Sequence, residues 1–310
     1  MKTPRKLYFF TLVCLAALLA GSCTKQKEDD SSLAEDHAAI TMATDGLADD
    51  ASSAAGQVKN FSGKTDETDG WWQLLCGVAS VDTNSGHQIT LTYDSTASCV
   101  GIIKSGQISI SLNGSRHWRD QGAELSITLN NFKIANRFTG RYFILNGTET
   151  VTNETGGLAW LIMAGITPNA TVAHRHRVNN LTITYSDGSQ RTWNVDRTRT
   201  FTSVTSSGHN TISITVSSEN TGNEDTWGTN RNGAQFISSL ITPVISNNNA
   251  NCPYKPYQGE YSQQVGSNRL DVLYGVDENG NPTGNPDACA YGYKITYQSG
   301  RKIFSKILSY

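Results

Sequence analysis

The sequence predicts an all-β fold, either an antiparallel β-sandwich or a curved β-meander, with one helix before it and a small β module after it. Hydrophobic residues alternate with polar residues in several runs, as successive side chains of a half-buried strand do. Gly, Asn or Asp bounds each run, and the chain contains 28 glycines, which favours turns. No helical periodicity interrupts the runs between residues 85 and 245, which argues against a nucleotide-binding sheet.

The N-terminus has the features of an export signal. Lys2, Arg5 and Lys6 precede an apolar run that ends at Gly21, too short to span a bilayer. Small residues then lead to Cys23 and resemble a lipobox, so we expect cleavage after residue 22 and a lipid on Cys23. The alternative is an ordinary secretory signal followed by an incidental cysteine.

Residues 23–32 are expected to form an acidic tether, because they are too polar to bury a core. Lys27 followed by Glu28, Asp29 and Asp30 resembles the surface-export signal of Bacteroidetes-type lipoproteins. This resemblance implies attachment to the outer membrane with the body at the cell surface, and the periplasmic face is the alternative.

One amphipathic helix and its linker are expected in residues 33–65. Leu33, Ile40, Leu47 and Ala54 recur at near-heptad spacing, and Gly46 interrupts the stripe.

Five alternating runs mark strands of the main β domain, and a break after them divides the chain. The runs are Ile89, Leu91 and Tyr93; Ile108, Ile110 and Leu112; Leu125, Ile127 and Leu129; Leu181, Ile183 and Tyr185; and Ile212, Ile214 and Val216. Asp187-Gly188 is the clearest hairpin turn, because it suits positive φ. Pro243 and a run of asparagines predict a boundary, with a main β domain at 66–250 and a small C-terminal module at 251–310.

Four cysteines of the body are expected to form disulfides, since an exported chain meets oxidising conditions. Proximity favours Cys76 with Cys99 and Cys252 with Cys289, although four cysteines allow three connectivities. Free thiols are the alternative. A Cys-x-x-Cys pair is absent from the sequence, which argues against a zinc site.

Several segments together resemble a family of Bacteroidetes-type surface lipoproteins with an all-β body. The segments are Gln88 to Thr92, Cys99, Lys104 to Ile108, Leu129 to Phe132, Thr192 to Asn194, Arg197 to Arg199 and Gly228 to Gly233. The resemblance covers the chain from about Asp66 to the C-terminus. It implies an exported, β-rich lipoprotein and transfers no catalytic residue.

The sequence offers few candidates for chemistry. His174-Arg175-His176 has a spacing that metal sites use, but the adjacent arginines oppose a cation and favour a solvated basic strand or loop. The polar run from Asp277 starts like a calcium loop, yet Pro282 stands where the pattern needs Gly. We therefore expect no metal, no cofactor and no catalytic residue.

Two residues are candidates for contact with carbohydrate. Among the tryptophans, Trp193 alternates with Val195 and is expected in the core, whereas Trp118 has charged neighbours and is the candidate for an exposed glycan-binding ring. Asp94-Ser95-Thr96 resembles an O-glycosylation signal at Ser95, with a simple turn as the alternative.

Charge excludes one class of partner. Residues 1–22 carry three cations and no acids, so the formal net charge of −2 becomes −5 after cleavage, and no basic patch indicates nucleic acid.

The sequence as a whole favours a lipid-anchored envelope protein that recognises a glycan, another ligand or an envelope protein, attached to the membrane through its N-terminal lipid. The alternative is a secreted hydrolase of envelope or extracellular polymers, although the sequence favours binding over catalysis.

Overall fold

The computed structural model describes residues 22–62, 75–83, 88–99, 101–114, 117–206, 209–252 and 254–310. Residues 1–21 of the predicted signal peptide therefore lie outside the described residues. The chain forms two compact units that divide after Met42. The first contains, among its described residues, only the first half of a long helix, and the second runs from Ala43 to Tyr310.

The helices are few and the strands many. The helices are α1 (Ser22–Gln57), α2 (Lys59–Ser62), α3 (Ala159–Met163) and a 3-10 turn at Thr221–Asn223. The strands are β1 (Val78–Asp82), β2 (Gln88–Tyr93), β3 (Ser98–Cys99), β4 (Ile102–Asn113), β5 (Ala123–Asn136), β6 (Tyr142–Asn153), β7 (Thr171–Tyr185), β8 (Gln190–Ser206), β9 (His209–Ser217), β10 (Glu224–Thr229), β11 (Gln235–Asn247), β12 (Pro256–Val265), β13 (Asn268–Val276), β14 (Gly292–Ser299) and β15 (Lys302–Ser309). None of the described helices is both long and apolar enough to cross a membrane.

All the strands belong to one antiparallel sheet, which confirms the predicted all-β class. Strand order follows chain order from β1 to β15, with β3 beside β4. Of the two predicted architectures, a single sheet of this order is the meander. The hairpin predicted at Asp187-Gly188 is confirmed, since Gly188 has a φ of 82° and its N–H donates to the carbonyl of Tyr185.

One place in the sheet is interrupted. Both β9 and β10 pair with β8 on one side and with β11 on the other. They lie end to end in the same strand position, and residues 218–223 connect them outside the ladder. This leaves a gap in the hydrogen bonding beside Asp196 and Arg197 of β8.

The sheet curls around the second half of α1. Asp50 of α1 contacts Lys104 of β4 at 2.5 Å, and the adjacent Asp49 contacts Arg199 of β8 at 2.7 Å. Four strand spacings separate β4 from β8, which in a flat sheet amounts to roughly 19 Å. Neighbouring helix residues reach both strands because the sheet is concave on this face.

Two segments differ from their predicted organisation. Residues 23–32, expected as a tether, are helical and belong to α1. Strands β12 to β15 extend the same sheet from β11, so the predicted division at residue 250 does not separate two modules. Pro243 falls inside β11, at a register shift where the ladder tolerates a residue without an N–H.

Candidate functional site

An open pocket lies on the convex face of the sheet, opposite α1, at the interruption between β9 and β10. Its volume is about 800 Å³. We call it the outer pocket. Its lining consists of Asn179, Asn180, Thr192, Asn194, Asp196, Asn220, Thr221, Glu224, Trp227, Gly228, Gln235, Phe236 and Ile237. Five of these thirteen residues carry amide side chains.

The sequence forms the pocket walls through two irregularities. A register shift between Val178 and Leu181 of β7 places Asn179 and Asn180 at the rim, and Asn180 has a φ of 55°, which Asn tolerates better than most residues. The second irregularity is the break between β9 and β10, which supplies the opposite wall.

Two asparagines hold these walls in place. The side-chain oxygen of Asn194 accepts a 2.7 Å hydrogen bond from the N–H of Asn180, and its amide donates to the carbonyl of Trp227 at 3.1 Å. The amide of Asn220 donates to the carbonyls of Asp196 and Glu224 at 3.2 and 2.9 Å. Both amides therefore shape the pocket.

A close approach of two strands sets the position of Trp227. A Cβ added to the next residue, Gly228, would lie 2.2 Å from the carbonyl oxygen of Thr192. Only glycine fits there, with its φ of 154°. Trp227 is half-buried, and Ile237 beside it is 44% exposed.

The groups at the surface of the pocket are mostly neutral. Asn179, Thr221 and Gln235 are exposed and offer hydrogen-bond donors and acceptors. Of the two carboxylates, Asp196 accepts hydrogen bonds from Arg175 on both oxygens, at 2.7 and 2.9 Å. Such a surface can hold a polar, uncharged ligand against an indole ring.

The concave side of the same gap holds a buried ionic cluster. Arg197 donates to Asp45 of α1 at 2.5 Å, and its guanidinium lies 3.8 Å from Asp225 of β10. Burial opposes ionisation of Asp45, but Arg197 and Arg199 outweigh it and lower the pKa of Asp45. Burial raises the pKa of Asp225 to about 6, with Arg197 offsetting part of the rise.

Glu149 and His176 form a hydrogen bond within this cluster, 3.0 Å from Oε1 to Nδ1. Burial raises the pKa of Glu149 well above its usual range and lowers the pKa of His176 well below its usual range. Their side chains are 2% and 1% exposed, so this carboxylate–imidazole pair is closed to substrate.

The predicted histidine pair lies on the concave face and is buried. His174 is 1% exposed and lies between Trp118 and Phe201, with centroid distances of 5.0 and 5.5 Å in tilted and edge-to-face arrangements. Burial, with a contribution from Arg199, lowers the pKa of His174 to about 3. The solvated strand expected for this segment is therefore wrong, because inward positions of β7 face α1.

The exposure predicted for Trp118 is also wrong. Its ring is completely buried, and its indole N–H donates to the hydroxyl of Ser52 at 3.1 Å. The charged neighbours that suggested exposure lie in the connection around it, while the ring packs inward. Trp118 therefore has no face available to a glycan, whereas Trp193 is buried as predicted.

The remaining predicted sites are placed as follows. Cys76 is bonded to Cys99 and Cys252 to Cys289, which confirms both local pairings, each with Cα atoms 5.7 Å apart. Ser95 is exposed in a turn, and its modification stays a prediction.

Two further predictions concern metal and lipid. Asp277 accepts hydrogen bonds from the N–H groups of Asn279 and Asn281, as in a polar turn. Among the described residues no group of His, Cys, Asp and Glu has the arrangement of a metal site. Cys23 belongs to α1, and its lipidation stays a prediction.

Sequence reasoning missed the outer pocket, although two signals were present. The paired asparagines at 179–180 interrupt an alternating run, and Trp227-Gly228 places an aromatic residue beside a glycine. Comparison with profiles of protein families, with curated proteins and with solved structures finds no match to this chain.

Proposed function

We propose that the chain is a lipid-anchored envelope protein that binds a glycan in the outer pocket without turning it over. One observation carries the proposal: the pocket combines exposed neutral amide and hydroxyl groups with the half-buried ring of Trp227.

This combination suits the chemistry of a sugar. A pyranose ring presents C–H groups on one face, which pack against an aromatic ring, and hydroxyls around its edge, which both donate and accept hydrogen bonds. Amides such as those of Asn179 and Gln235 also do both. Because Asn194 and Asn220 already hold the walls, ligand binding requires little ordering of the site.

The anchoring part of the proposal is supported by the sequence. The apolar run before Cys23, its small neighbours and the acidic residues after it fit a lipoprotein retained in the envelope. Two disulfides in the body are compatible with an oxidising compartment.

A glycan array probed with the purified protein tests the binding proposal, and titration calorimetry with the retained glycans follows. We expect Trp227→Ala to weaken binding at least tenfold, because it removes the stacking surface. Tyr291→Ala is the matched control, since Tyr291 is 44% exposed in the connection that precedes β14, outside the pocket lining, and its loss should leave binding unchanged.

The proposal fails if no glycan is retained, or if Trp227→Ala binds as tightly as the wild type. Retention of folded structure by each variant is checked by circular dichroism.

The pocket also offers one observation in favour of a hydrolase, namely that Asp196 and Glu224 both line it. Glycoside hydrolysis uses two carboxylates across a bound sugar. Against this, both oxygens of Asp196 are engaged by Arg175. Release of reducing ends from a bound glycan, abolished by Glu224→Gln, would favour the hydrolase over the binding protein.

A further inference from the structure

The two ends of the sheet differ in charge. At the turn end, strands are joined by residues 94–101, 137–141, 186–189, 230–234, 266–267 and 300–301. At the loop end, they are joined by residues 114–122, 154–170, 248–255 and 277–291. Among the described residues, the turn-end connections hold four arginines against two aspartates, and the loop-end connections hold five carboxylates against one arginine and one lysine.

Most of the turn-end arginines are uncompensated. Arg231 pairs with Asp187 at 3.2 Å. Arg137, Arg141 and Arg301 are exposed and form no ion pair with any described residue. This positive charge stands out because the mature chain is expected to be acidic overall.

An aromatic side chain projects from the same end. Phe138, at the tip of the β5–β6 hairpin, is 84% exposed. In the same hairpin, the ammonium of Lys133 lies 4.0 Å from the centre of the ring of Tyr142. Exposed aromatic rings beside arginine and lysine are typical of surfaces that meet lipid headgroups.

We propose that the turn end docks on an anionic lipid surface, with Phe138 at the headgroup level and Arg137, Arg141 and Arg301 over the negative charges. The inference rests on the lipid anchoring proposed above and is independent of glycan binding. Anionic headgroups attract exposed basic residues within about a Debye length, so the contact is sensitive to salt. The acidic loop end is then held away from the membrane.

Depth-dependent fluorescence quenching tests this orientation. The full-length protein, produced by an exporting bacterium, is reconstituted in vesicles of phosphatidylcholine and phosphatidylglycerol that contain brominated acyl chains. A fluorophore is attached to Phe138→Cys or, as the matched control at the loop end, to Ile166→Cys, which replaces a side chain that is 59% exposed. Vesicle flotation first establishes attachment.

We expect quenching at position 138 to exceed that at position 166 several-fold, and to fall to the level of position 166 at high salt or without phosphatidylglycerol. Substituting Arg137, Arg141 and Arg301 together by Ser should have the same effect while the protein still floats. The proposal is overturned by equal quenching at both positions. It is also overturned if quenching at position 138 does not change with salt, with phosphatidylglycerol or with the arginine substitutions. Failure to float overturns the anchor itself, and glycan binding is judged separately on the array.

Discussion

The guanidinium of Arg197 donates a 2.5 Å hydrogen bond to the carboxylate of Asp45, joining β8 to a helix 152 residues earlier in the chain. Asp225 lies on the other side of the same guanidinium, at 3.8 Å. Arg197 sits where the ladder between β8 and the β9–β10 position is interrupted, so one side chain both holds α1 inside the sheet and lies on the inner side of the gap behind the outer pocket.

We expect Arg197→Met to lower the free energy of unfolding by about 3 to 5 kcal/mol, because it leaves Asp45 and Asp225 buried without their shared cation. Arg269→Met is the matched control. Arg269 pairs with Asp271 at 2.7 Å but is 47% exposed, so its loss should cost less than about 1 kcal/mol. Urea unfolding of both variants checks this, and equal effects would contradict the role given to the cluster.

Acid is expected to destabilise the protein through His174. The pKa of this buried ring is lowered to about 3, so the folded protein rejects a proton that the unfolded chain accepts below its usual pKa of about 6.5. Stability is therefore lost as the pH falls below that value. Relative to the wild type, His174→Phe should gain about 1.4 kcal/mol for each pH unit between about 6 and about 3, the pKa of His174 in the folded protein.

Unfolding curves of the His174→Phe variant at a series of pH values measure this difference. Phe201→Leu alters the same aromatic stack without removing a titratable group, so it should shift the free energy equally at every pH. Parallel pH profiles for the wild type and His174→Phe would show that His174 does not contribute to acid sensitivity.

The disulfide between Cys252 and Cys289 joins the β11–β12 connection to the β13–β14 connection, across a sequence separation of 37. In the chain-entropy account, closing such a loop stabilises by very roughly 3 to 4 kcal/mol. We expect Cys252→Ser with Cys289→Ser to lower the melting temperature, and a reductant to have a smaller effect on this variant than on the wild type. Peptide mapping that found Cys252 joined to any cysteine other than Cys289 would contradict the assignment.

Cys23 is expected to carry the lipid, and Cys14 to be lost with the leader. Metabolic labelling with a fatty acid should mark the wild type and leave Cys23→Ala unlabelled. Cys14→Ala is the control, because labelling should persist in it. A labelled Cys23→Ala protein would disprove the attachment site.

The residues from Lys27 to Asp30 are expected to direct the body to the cell surface. Protease applied to intact cells should remove the wild-type protein, whereas replacement of Glu28, Asp29 and Asp30 by Ala should protect it. Full protection of the wild type would instead favour the periplasmic face.

Much of the fold follows from local pattern. The period-two runs, such as Leu125, Ile127 and Leu129, are inward positions of β5, and the Asp187-Gly188 turn forms where its backbone preference requires. Local sequence also predicted both disulfides, because each joins cysteines that are near one another along the chain. Local pattern works here because neighbouring strands are mostly neighbours in sequence.

The candidate site did not follow from pattern, because its features depend on pairs of distant residues. Trp118 has charged sequence neighbours, yet its ring is buried and its indole N–H donates to Ser52 of α1. His174 reads as part of a basic run, yet its side chain points toward the concave face. The outer pocket requires β9 and β10 to share one strand position, which no single stretch of sequence reveals.

The near-sequential strand order also governs how the chain reaches this structure. Most paired strands are consecutive in the chain, which favours assembly of the sheet from one hairpin to the next. The helix is different. Asp45 and Asp49 are synthesised about 150 residues before their partners Arg197 and Arg199, so these ion pairs form only after β8 has been made. Closure of β8 onto α1 is therefore a late event, and a chain stalled before β8 leaves Asp45 and Asp49 without these arginines, although Asp50 can already meet Lys104.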